Sequence, residues 1–436
     1  MPNELKHIPV AKKLCKTYCF KTLDKVIYRY NNSGLYVPDG EAFIEQKAQT
    51  QLGSNALSHT INEVVNWIKR ETYAKPSEFD HNPDILNCLS GLLNMKTLEL
   101  QEHTPDYPSL IQIPVFYDTR FDAPAISKFL TEILKPEDID PILELFGYCL
   151  FRVLPIQKAF LFVGEGANGK STLIELLRVF LGKNNCSSIS LQELEEDKFK
   201  KAELFGKLAN LSSDIPSKGL HHIGTFKMLT GGDKITAERK FGHPFQFTNF
   251  AKLVFSANRP PKIFNEDTLA LWRRFIIMDF PNTFPDDTAD KHLLDKLTIE
   301  AELAGLLNLA LRGLQRLLAN GTFSYNKTIE DIAERYTILS DPILNFINEQ
   351  CELDNDATID KQVLYDAFDQ YCRDRRIPPM SKESFGRNLK NSPTLHIGTI
   401  RSRSDGDRAY CWRGIKIREN LVETQFKLSK TLLECK

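Results

Sequence analysis

The most constraining feature of the sequence is a short apolar run that leads into a glycine-rich turn and then into a helical pattern. The run covers 158–163, the turn reads Gly-Glu-Gly-Ala-Asn-Gly-Lys-Ser at 164–171, and helical spacing continues to Leu181. The turn fits the phosphate-binding loop, in which a glycine and four residues precede Gly-Lys-Ser/Thr. A buried strand before the loop and a helix after it are the context this motif requires, which disfavours a chance glycine turn.

The loop predicts a nucleotide site with a role for each kind of residue. Glycines let backbone amides close around phosphates, and the N-terminus of the next helix adds a partial positive charge. Lys170 is placed to reach the β- and γ-phosphates, Ser171 to ligate Mg²⁺, and Thr172 to support the site. The candidate nucleotide-binding residues are Gly164, Glu165, Gly166, Ala167, Asn168, Gly169, Lys170, Ser171 and Thr172.

Three further apolar runs, 207–211, 252–256 and 275–280, alternate with helical patterns. Strands interleaved with helices predict an α/β fold around a sheet. Asp214 follows the first run, where a P-loop enzyme carries a metal-holding acid, and Asn258 follows the second, where an amide can bond the γ-phosphate or the attacking water. Each also fits an ordinary surface turn, because a proline follows closely.

The block Phe-Lys-Met-Leu-Thr-Gly-Gly-Asp-Lys-Ile-Thr-Ala-Glu-Arg-Lys-Phe at 226–241 lies between these two polar residues. It resembles the signature of superfamily 3 helicases, and more narrowly that of the phage and plasmid primase-helicase branch, which is related to the poxvirus primase-helicases. Segments on both sides are also similar to this family, so that the resemblance covers roughly residues 30 to 418 at falling specificity toward both ends. They are 91–100 and 114–118 upstream, 272–280, and 364–417, which is similar to a C-terminal winged-helix module.

The resemblance implies roles for individual residues. Lys170 and Ser171 bind phosphate and Mg²⁺, Asp214 is the second-strand acid, and Asn258 senses the γ-phosphate. Arg274 is implied to be the arginine finger that reaches the ATP of the neighbouring subunit, with Arg273 as the close alternative. The alternative without a catalytic role is that both arginines are simply solvated surface charges. The implied DNA-binding residues around a hairpin are Lys240, Arg239, Phe241, His243 and Lys227.

The sequence departs from the family pattern at the second strand. Many superfamily 3 members carry two adjacent acids there, whereas Asp214 stands between Ser213 and Ile215. The general base that activates water is therefore left open, with Glu165 and Asp233 as conceivable helpers. Nothing resembles the acidic motifs of a primase, so the chain is expected to be a stand-alone helicase or the helicase part of a longer primase-polymerase.

The expected fold class is α/β, a P-loop AAA+-like ATPase core with an N-terminal α+β domain and a C-terminal winged-helix domain. The expected divisions are a basic segment at 1–30, a helicase-associated domain at 31–125, the ATPase domain at 126–320, a helical linker at 321–355 and a winged-helix-like domain at 356–436. The winged helix would dock duplex DNA, a partner protein being the alternative, through Arg373, Arg375, Arg376, Arg401, Arg403 and Arg408.

The resemblance implies an ATP- and Mg²⁺-dependent DNA helicase that moves 3′ to 5′ on single-stranded DNA as a homohexameric ring, acting on forked DNA during replication of a phage, plasmid or other mobile element. A primase or polymerase, fused upstream or separate, is a further expected partner. Two other classes stay open: an ATP-dependent replication initiator or regulator with little unwinding, and a P-loop kinase, which would leave the block at 226–241 without a role.

Charge first seems to argue against nucleic acid, because 56 Lys and Arg face 57 Asp and Glu. Local balances differ: 1–30 carries +5, 223–262 carries +5 and 361–418 carries +7, so that neutrality is a sum of opposed regions. Nine scattered cysteines favour reduced thiols in a cytoplasm-like compartment. The resemblance implies that this compartment is the cytoplasm of a bacterial or archaeal host cell of a phage or plasmid. No apolar stretch is long enough to predict a membrane span.

Overall fold

The structure is a computed structural model that describes residues 6–418 apart from 165, 217, 259, 265–268, 285–289, 375–379, 393–394, 396 and 405–406. Its helices are α1 His7–Thr17, α2 Gly40–Leu52, α3 Ser58–Glu71, α4 Pro124–Ile133, α5 Pro136–Leu150, α6 Lys170–Leu181, α7 Leu191–Glu196, α8 Lys198–Ala202, α9 Gly224–Gly231, α10 Leu269–Trp272, α11 Leu293–Leu297, α12 Glu300–Asn320, α13 Ile329–Ser340, α14 Pro342–Gln350, α15 Lys361–Asp374 and α16 Lys382–Asn391.

Within the described residues, the strands form six sheets of two to five strands. They are β1 Phe20–Leu23, β2 Val26–Tyr30, β3 Tyr36–Val37, β4 Ile85–Cys88, β5 Gly91–Asn94, β6 Leu100–Gln101, β7 Ala159–Val163, β8 Cys186–Ser187, β9 Ala209–Ser212, β10 Lys234–Glu238, β11 Pro244–Thr248, β12 Lys252–Ala257, β13 Phe275–Asp279, β14 Cys351–Glu352, β15 Thr358–Asp360, β16 Gly398–Ser404, β17 Asp407–Arg413 and β18 Lys416–Ile417.

A five-stranded parallel sheet with the order β13-β7-β12-β9-β8 forms the centre of the molecule. Every residue of β7 is buried, and alternate side chains enter different cores: Phe160 and Phe162 pack with α5, α6 and α12, whereas Leu161 packs with α7, α9 and α13. A parallel strand covered on both faces is expected to read as a continuous apolar run. The α/β expectation and the four predicted strands are confirmed, while the two-residue β8 was not predicted.

The N-terminal part of the chain folds as one unit, in which α1, α2 and α3 pack on the antiparallel sheet β1-β2-β3. Leu14 of α1, Ile44 of α2 and Ile68 of α3 are fully buried in its core together with Ile27 of β2. Residue 30, where a division is expected, is the last residue of β2, which pairs with β3 inside this unit.

The division expected at residue 125 also falls inside a core. Ile113 and Leu86 are buried in the same hydrophobic cluster as α4, α5, α6 and α12. The helices α5 and α12 approach so closely that a Cβ on Gly147 would overlap the Ala310 carbonyl oxygen, and one on Gly313 would come within 2.6 Å of the Leu143 carbonyl oxygen. The segment after the sheet thus packs back onto the segment before it.

The segment expected to be a linker at 321–355 contributes side chains to two different hydrophobic cores. The α13 residue Tyr336 is fully buried against the central sheet, and its hydroxyl donates to the Pro261 carbonyl oxygen at 2.8 Å. By contrast, Phe346 of α14 belongs to the C-terminal core, which also holds α15, α16 and Trp412 of β17. In that unit β17 lies between β15 and β16. Across the described ranges, no helix combines the length and apolar character that crossing a membrane requires.

Candidate nucleotide-binding site and hairpin

The glycine-rich loop joins β7 to α6 and is built from left-handed backbone. Gly169, at the N-cap of α6, has φ +85°, Ala167 has φ +55° and Gly164 has φ +153°. A Cβ on Gly164 would overlap the Asn168 side chain and come within 2.8 Å of the Phe280 carbonyl oxygen. Only glycine adopts the Gly164 conformation in that space without strain. Glu165 lies outside the described residues.

Lys170 is held inside this loop, with 5% of its surface exposed. Its Nζ donates to the Gly164 carbonyl oxygen at 2.6 Å and to Asn168 Oδ1 at 3.0 Å. The Phe284 amide in turn donates to the Ala167 carbonyl oxygen at 2.7 Å, which ties the loop to the segment after β13. The Lys170 ammonium group is therefore held by two oxygens of the loop itself. A phosphate oxygen could take the place of these acceptors.

The predicted polar residues lie at the same edge of the sheet as the loop. Because Ala257 pairs with Val163 and Phe255 with Ser212, continuing the register sets Asn258 opposite Gly164 and Asp214 opposite Ala257. The Ile215 amide donates to the Ser256 carbonyl oxygen at 2.9 Å, which fixes Asp214 against β12. Neighbouring strands are about 4.8 Å apart, so these side chains reach a common crevice at the carboxyl ends of the strands.

The groups predicted to contact the metal or the γ-phosphate are accessible. Ser171, Asp214 and Asn258 are exposed, and Thr172 is half-buried in the first turn of α6. Gly166 has open space around it. The structure thus brings together the described residues of the predicted nucleotide site, and their chemistry remains a prediction.

The two candidate arginines lie at the amino ends of the strands, whereas the glycine-rich loop lies at their carboxyl ends. They directly precede β13, whose first residue pairs with Ala159 at the start of β7, whereas the glycine-rich loop follows the last residue of β7. Five residues at about 3.3 Å each set the two sites about 17 Å apart along the strands. Neither Arg273 nor Arg274 can therefore serve the nucleotide loop of its own chain.

The two arginines differ in environment. Arg274 is 8% exposed; its guanidinium donates to Thr230 Oγ1 at 3.1 Å and to the Ala270 carbonyl oxygen. Burial lowers the pKa of Arg274, and the adjacent Arg273 cation lowers it further. Arg273 is exposed and donates to Gln157 Oε1 at 2.8 Å. Spacing could not have revealed Thr230 as a partner, because it is far from Arg274 in the sequence.

Residues 226–241 form most of α9, the first strand of the antiparallel hairpin β10-β11 and the start of the turn between its strands. The hairpin tip carries Arg239, Lys240, Phe241 and His243, all exposed, and Phe241 is 98% exposed with φ +64°. Lys240 Nζ lies 5.5 Å from the centre of the Phe241 ring, and the Arg239 guanidinium lies 5.1 Å from that of Phe245. Lys227 is on α9, away from the tip.

The C-terminal basic residues are only partly described. Arg373 pairs with Asp369. Arg375 and Arg376 lie outside the described residues, as do the side chains of Arg401, Arg403 and Arg408. Sequence reasoning did not single out the exposed cations of α16, which are Lys382, Arg387 and Lys390.

Three segments of the chain match known protein families. Residues 11–135 match a family described as D5 N terminal like, 162–274 match a family of unknown function (DUF5906), and 341–419 match the RFX DNA-binding domain. None of these covers half of the chain.

A curated relative and several solved structures are also similar. "Putative helicase L207/L206" of Acanthamoeba polyphaga mimivirus is 28% identical over 219 residues, 47% of this chain and 20% of that protein. The chain thus spans about a fifth of that relative's length. The D5 family match and this relative support a relation to D5-like primase-helicases.

The solved structures are those of an NrS-1 C-terminal region. One, an A-form apo structure, is 13% identical with a TM-score of 0.48, covering 93% of this chain and 99% of that one. A second apo structure, also 13% identical, has a TM-score of 0.44 and covers 95% of this chain and 100% of that one. Likeness at this level does not bear on function.

Proposed function

We propose that this chain is an ATP-dependent DNA helicase subunit of the superfamily 3 type. One observation carries the proposal. The glycine-rich loop with Lys170, the acid Asp214 and the amide Asn258 follow neighbouring strands of the central sheet and lie together at the carboxyl ends of those strands. A lysine in a left-handed glycine loop supplies the charge that triphosphates need, and an acid two strands away supplies the charge that a metal needs.

The described residues fit a nucleotide-bound Mg²⁺ ion. Ser171 and Asp214 offer exposed hydroxyl and carboxylate oxygens, the ligand types that Mg²⁺ takes beside phosphates. When bound, the ion neutralises charge on the β- and γ-phosphates. Lys170 then binds the same phosphates, and Asn258 orients the attacking water or the γ-phosphate.

Hydrolysis in this arrangement requires a second subunit. Both candidate arginines lie about 17 Å along the strands from the loop of their own chain, so a finger must act on a neighbour's ATP. Head-to-tail contacts form a closed ring when the rotation between subunits closes, and a ring of six subunits is what the resemblance implies. Arg273 is exposed, whereas Arg274 is bonded beneath the 226–241 block, so exposure favours Arg273 as the finger and Arg274 as its support.

The β10-β11 hairpin is proposed to contact single-stranded DNA. Its tip presents Lys240 with a fully exposed aromatic ring at Phe241, and cations beside a stacking ring suit a strand bound without sequence reading. Movement of this hairpin would drive translocation, 3′ to 5′ as the resemblance implies. Action at forks of a mobile element's DNA, with a primase or polymerase, completes the proposal.

A DNA-binding initiator with little unwinding is the second candidate, favoured by the match of 341–419 to a DNA-binding domain. In both cases the C-terminal unit would dock duplex DNA, with α16 as an additional basic surface. The two candidates differ in whether hydrolysis is coupled to strand separation.

ATPase activity with and without single-stranded DNA, combined with unwinding of a labelled fork and native mass with ATP, tests the proposal. We expect DNA-stimulated hydrolysis, fork unwinding and a ring-sized particle, all lost in Lys170→Ala except the particle. DNA binding with ATP-dependent assembly but no unwinding would select the initiator, and unwinding by Lys170→Ala would refute the assigned nucleotide site.

A further inference from the structure

A groove of about 420 Å³ opens on the N-terminal unit, away from the nucleotide loop. Its walls are the turn between β1 and β2 and the C-terminal end of α3 with the chain that follows. A volume of this size is typical of sites for small ligands, or for a nucleotide or two of a longer chain. Neither the predicted site residues nor the hairpin account for it.

The floor of the groove is rigid. The Thr22 amide donates to the Thr72 carbonyl oxygen at 2.7 Å, and the Ala74 amide donates to the Thr22 carbonyl oxygen at 2.9 Å. The hydroxyls of Thr22 and Thr72 are also hydrogen bonded, at 2.9 Å. Thr22 and Ala74 are buried, so Tyr73, between the two bonded residues, is turned outward and is 69% exposed. The result is an aromatic ring presented at the rim on a fixed backbone.

The rim carries an excess of positive charge. Three cations line the groove, Lys25, Lys69 and Arg70, against a single acid, Asp24. Lys69 is paired with Glu41 at 3.8 Å, whereas Lys25 and Arg70 are exposed and form no ion pair with any residue that the structure describes. Carbonyl groups at the end of α3 repel anions, so binding of an anion would depend on these side chains.

The β1-β2 turn presents Lys25 at an energetic cost. Asp24 and Lys25 have φ +49° and +69°, so both central residues of this two-residue turn are left-handed without being glycine. Turns of this type normally use Asn-Gly or Asp-Gly. Strain of this kind is often retained where a side chain has a function.

We propose that this groove binds a short stretch of single-stranded DNA, with Tyr73 stacking on a base and Lys25 and Arg70 contacting phosphates. Phosphates and bases alternate along a DNA strand, and the rim of the groove offers cations for the phosphates and an aromatic ring for a base. The choice of DNA rests on the proposed function, whereas the groove's chemistry stands without it.

One tyrosine of the N-terminal unit is influenced by a charge of the groove and by a charge of the hairpin tip. Tyr28 of β2 has its pKa raised chiefly by burial, further by Asp24 of the groove, while Arg239 of the hairpin tip opposes the shift. The proposal therefore extends the strand that Lys240 and Phe241 hold into the groove. The N-terminal unit would then guide the strand toward the hairpin or away from it.

Fluorescence anisotropy with a labelled oligothymidine, on the full chain, measures the contribution of the groove. Tyr73→Ala should weaken binding about 5- to 150-fold, the range for loss of one base stack, and Tyr73→Phe should restore it. The double variant Lys25→Glu/Arg70→Glu should weaken binding and reduce the salt dependence by about 0.7 per lost phosphate contact. Lys291→Glu, an exposed cation elsewhere, is the matched control and should bind normally.

Photo-crosslinking with an iododeoxyuridine-substituted oligonucleotide locates the contact, and we expect the crosslinked peptide to contain Tyr73. Unchanged affinity in the groove variants, with crosslinks only at the hairpin, would overturn the groove proposal. If wild-type hydrolysis is still stimulated by DNA in that case, the proposed function stands. Competition by free thymidine monophosphate at the same peptide would show a mononucleotide site and would also overturn the proposal. Far-UV circular dichroism excludes unfolding as the cause of lost binding.

Discussion

Replacing Arg273 and Arg274 with alanine, one at a time, should produce two different defects. Arg273 is exposed and donates to one half-buried partner, Gln157. Arg274 is buried and joins the Thr230 hydroxyl to the Ala270 carbonyl oxygen. The first change removes a group that can reach another subunit, and the second removes a group that holds α9 against the start of β13.

The magnitudes follow from these contacts. Loss of an exposed side chain away from the core changes the free energy of unfolding by about 0.5 kcal/mol or less. Loss of Arg274 removes two hydrogen bonds from a charged donor, each contributing about 1.5–3 kcal/mol, so we expect a destabilisation of about 3–6 kcal/mol. An arginine finger contributes about 10³–10⁵ in hydrolysis rate, so Arg273→Ala should lose at least about 1000-fold with almost unchanged stability.

Urea unfolding and steady-state ATPase assays with single-stranded DNA distinguish the two variants. Mixing Arg273→Ala with Lys170→Ala in equal amounts should restore about a quarter of wild-type activity, since that share of random ring interfaces pairs an intact loop with an intact finger. The reasoning is refuted if Arg273→Ala hydrolyses ATP normally while Arg274→Ala is inactive and as stable as the wild type. Arg274 would then be the finger, as the resemblance alone implies.

Three further predictions concern other parts of the molecule. Asp214→Asn should keep ATP binding but lower hydrolysis by at least about 100-fold, measured by filter binding and phosphate release; normal hydrolysis would remove it from the metal site. Lys240→Ala and Phe241→Ala should reduce unwinding and DNA stimulation while basal hydrolysis continues, and unwinding at the wild-type rate would exclude the tip as the DNA contact. Burial lowers the pKa of Lys252 from 10.5 to about 7, so the unfolded chain binds more protons between these values. Stability should therefore rise with pH over that window by at most about 5 kcal/mol, and Lys252→Met should flatten this rise in urea titrations.

Local pattern was sufficient to predict the strand, loop and helix from β7 to α6, because burial on both faces and the φ requirements of the loop act on adjacent residues. The same holds for β9, β12 and β13, whose apolar runs are buried in the central sheet. β8 was missed because two residues give no periodicity. The order of strands, which sets Asp214 and Asn258 beside the loop, comes from long-range pairing.

Contacts between distant segments were also out of reach of pattern analysis. The bond between Thr230 and Arg274 and the groove formed by Thr22 and Tyr73 both join residues far apart in the sequence. Unequal exposure of Arg273 and Arg274 could not be read from two adjacent arginines. Gly147 and Gly313 were the available signal for close packing of α5 on α12, but small residues alone do not identify their partner.

The packing of α12 onto α5 has a practical consequence for anyone who divides this protein. A fragment that starts at residue 126 would expose the apolar face that Ile113 and Leu86 cover, and one that ends near 299 would lose the partner of α5. Expression of an isolated ATPase fragment, or exchange of such a fragment between relatives, would have to keep the chain from the start of β4 to the end of α13 intact. The smallest exchangeable module is therefore larger than the stretch that carries the catalytic motifs.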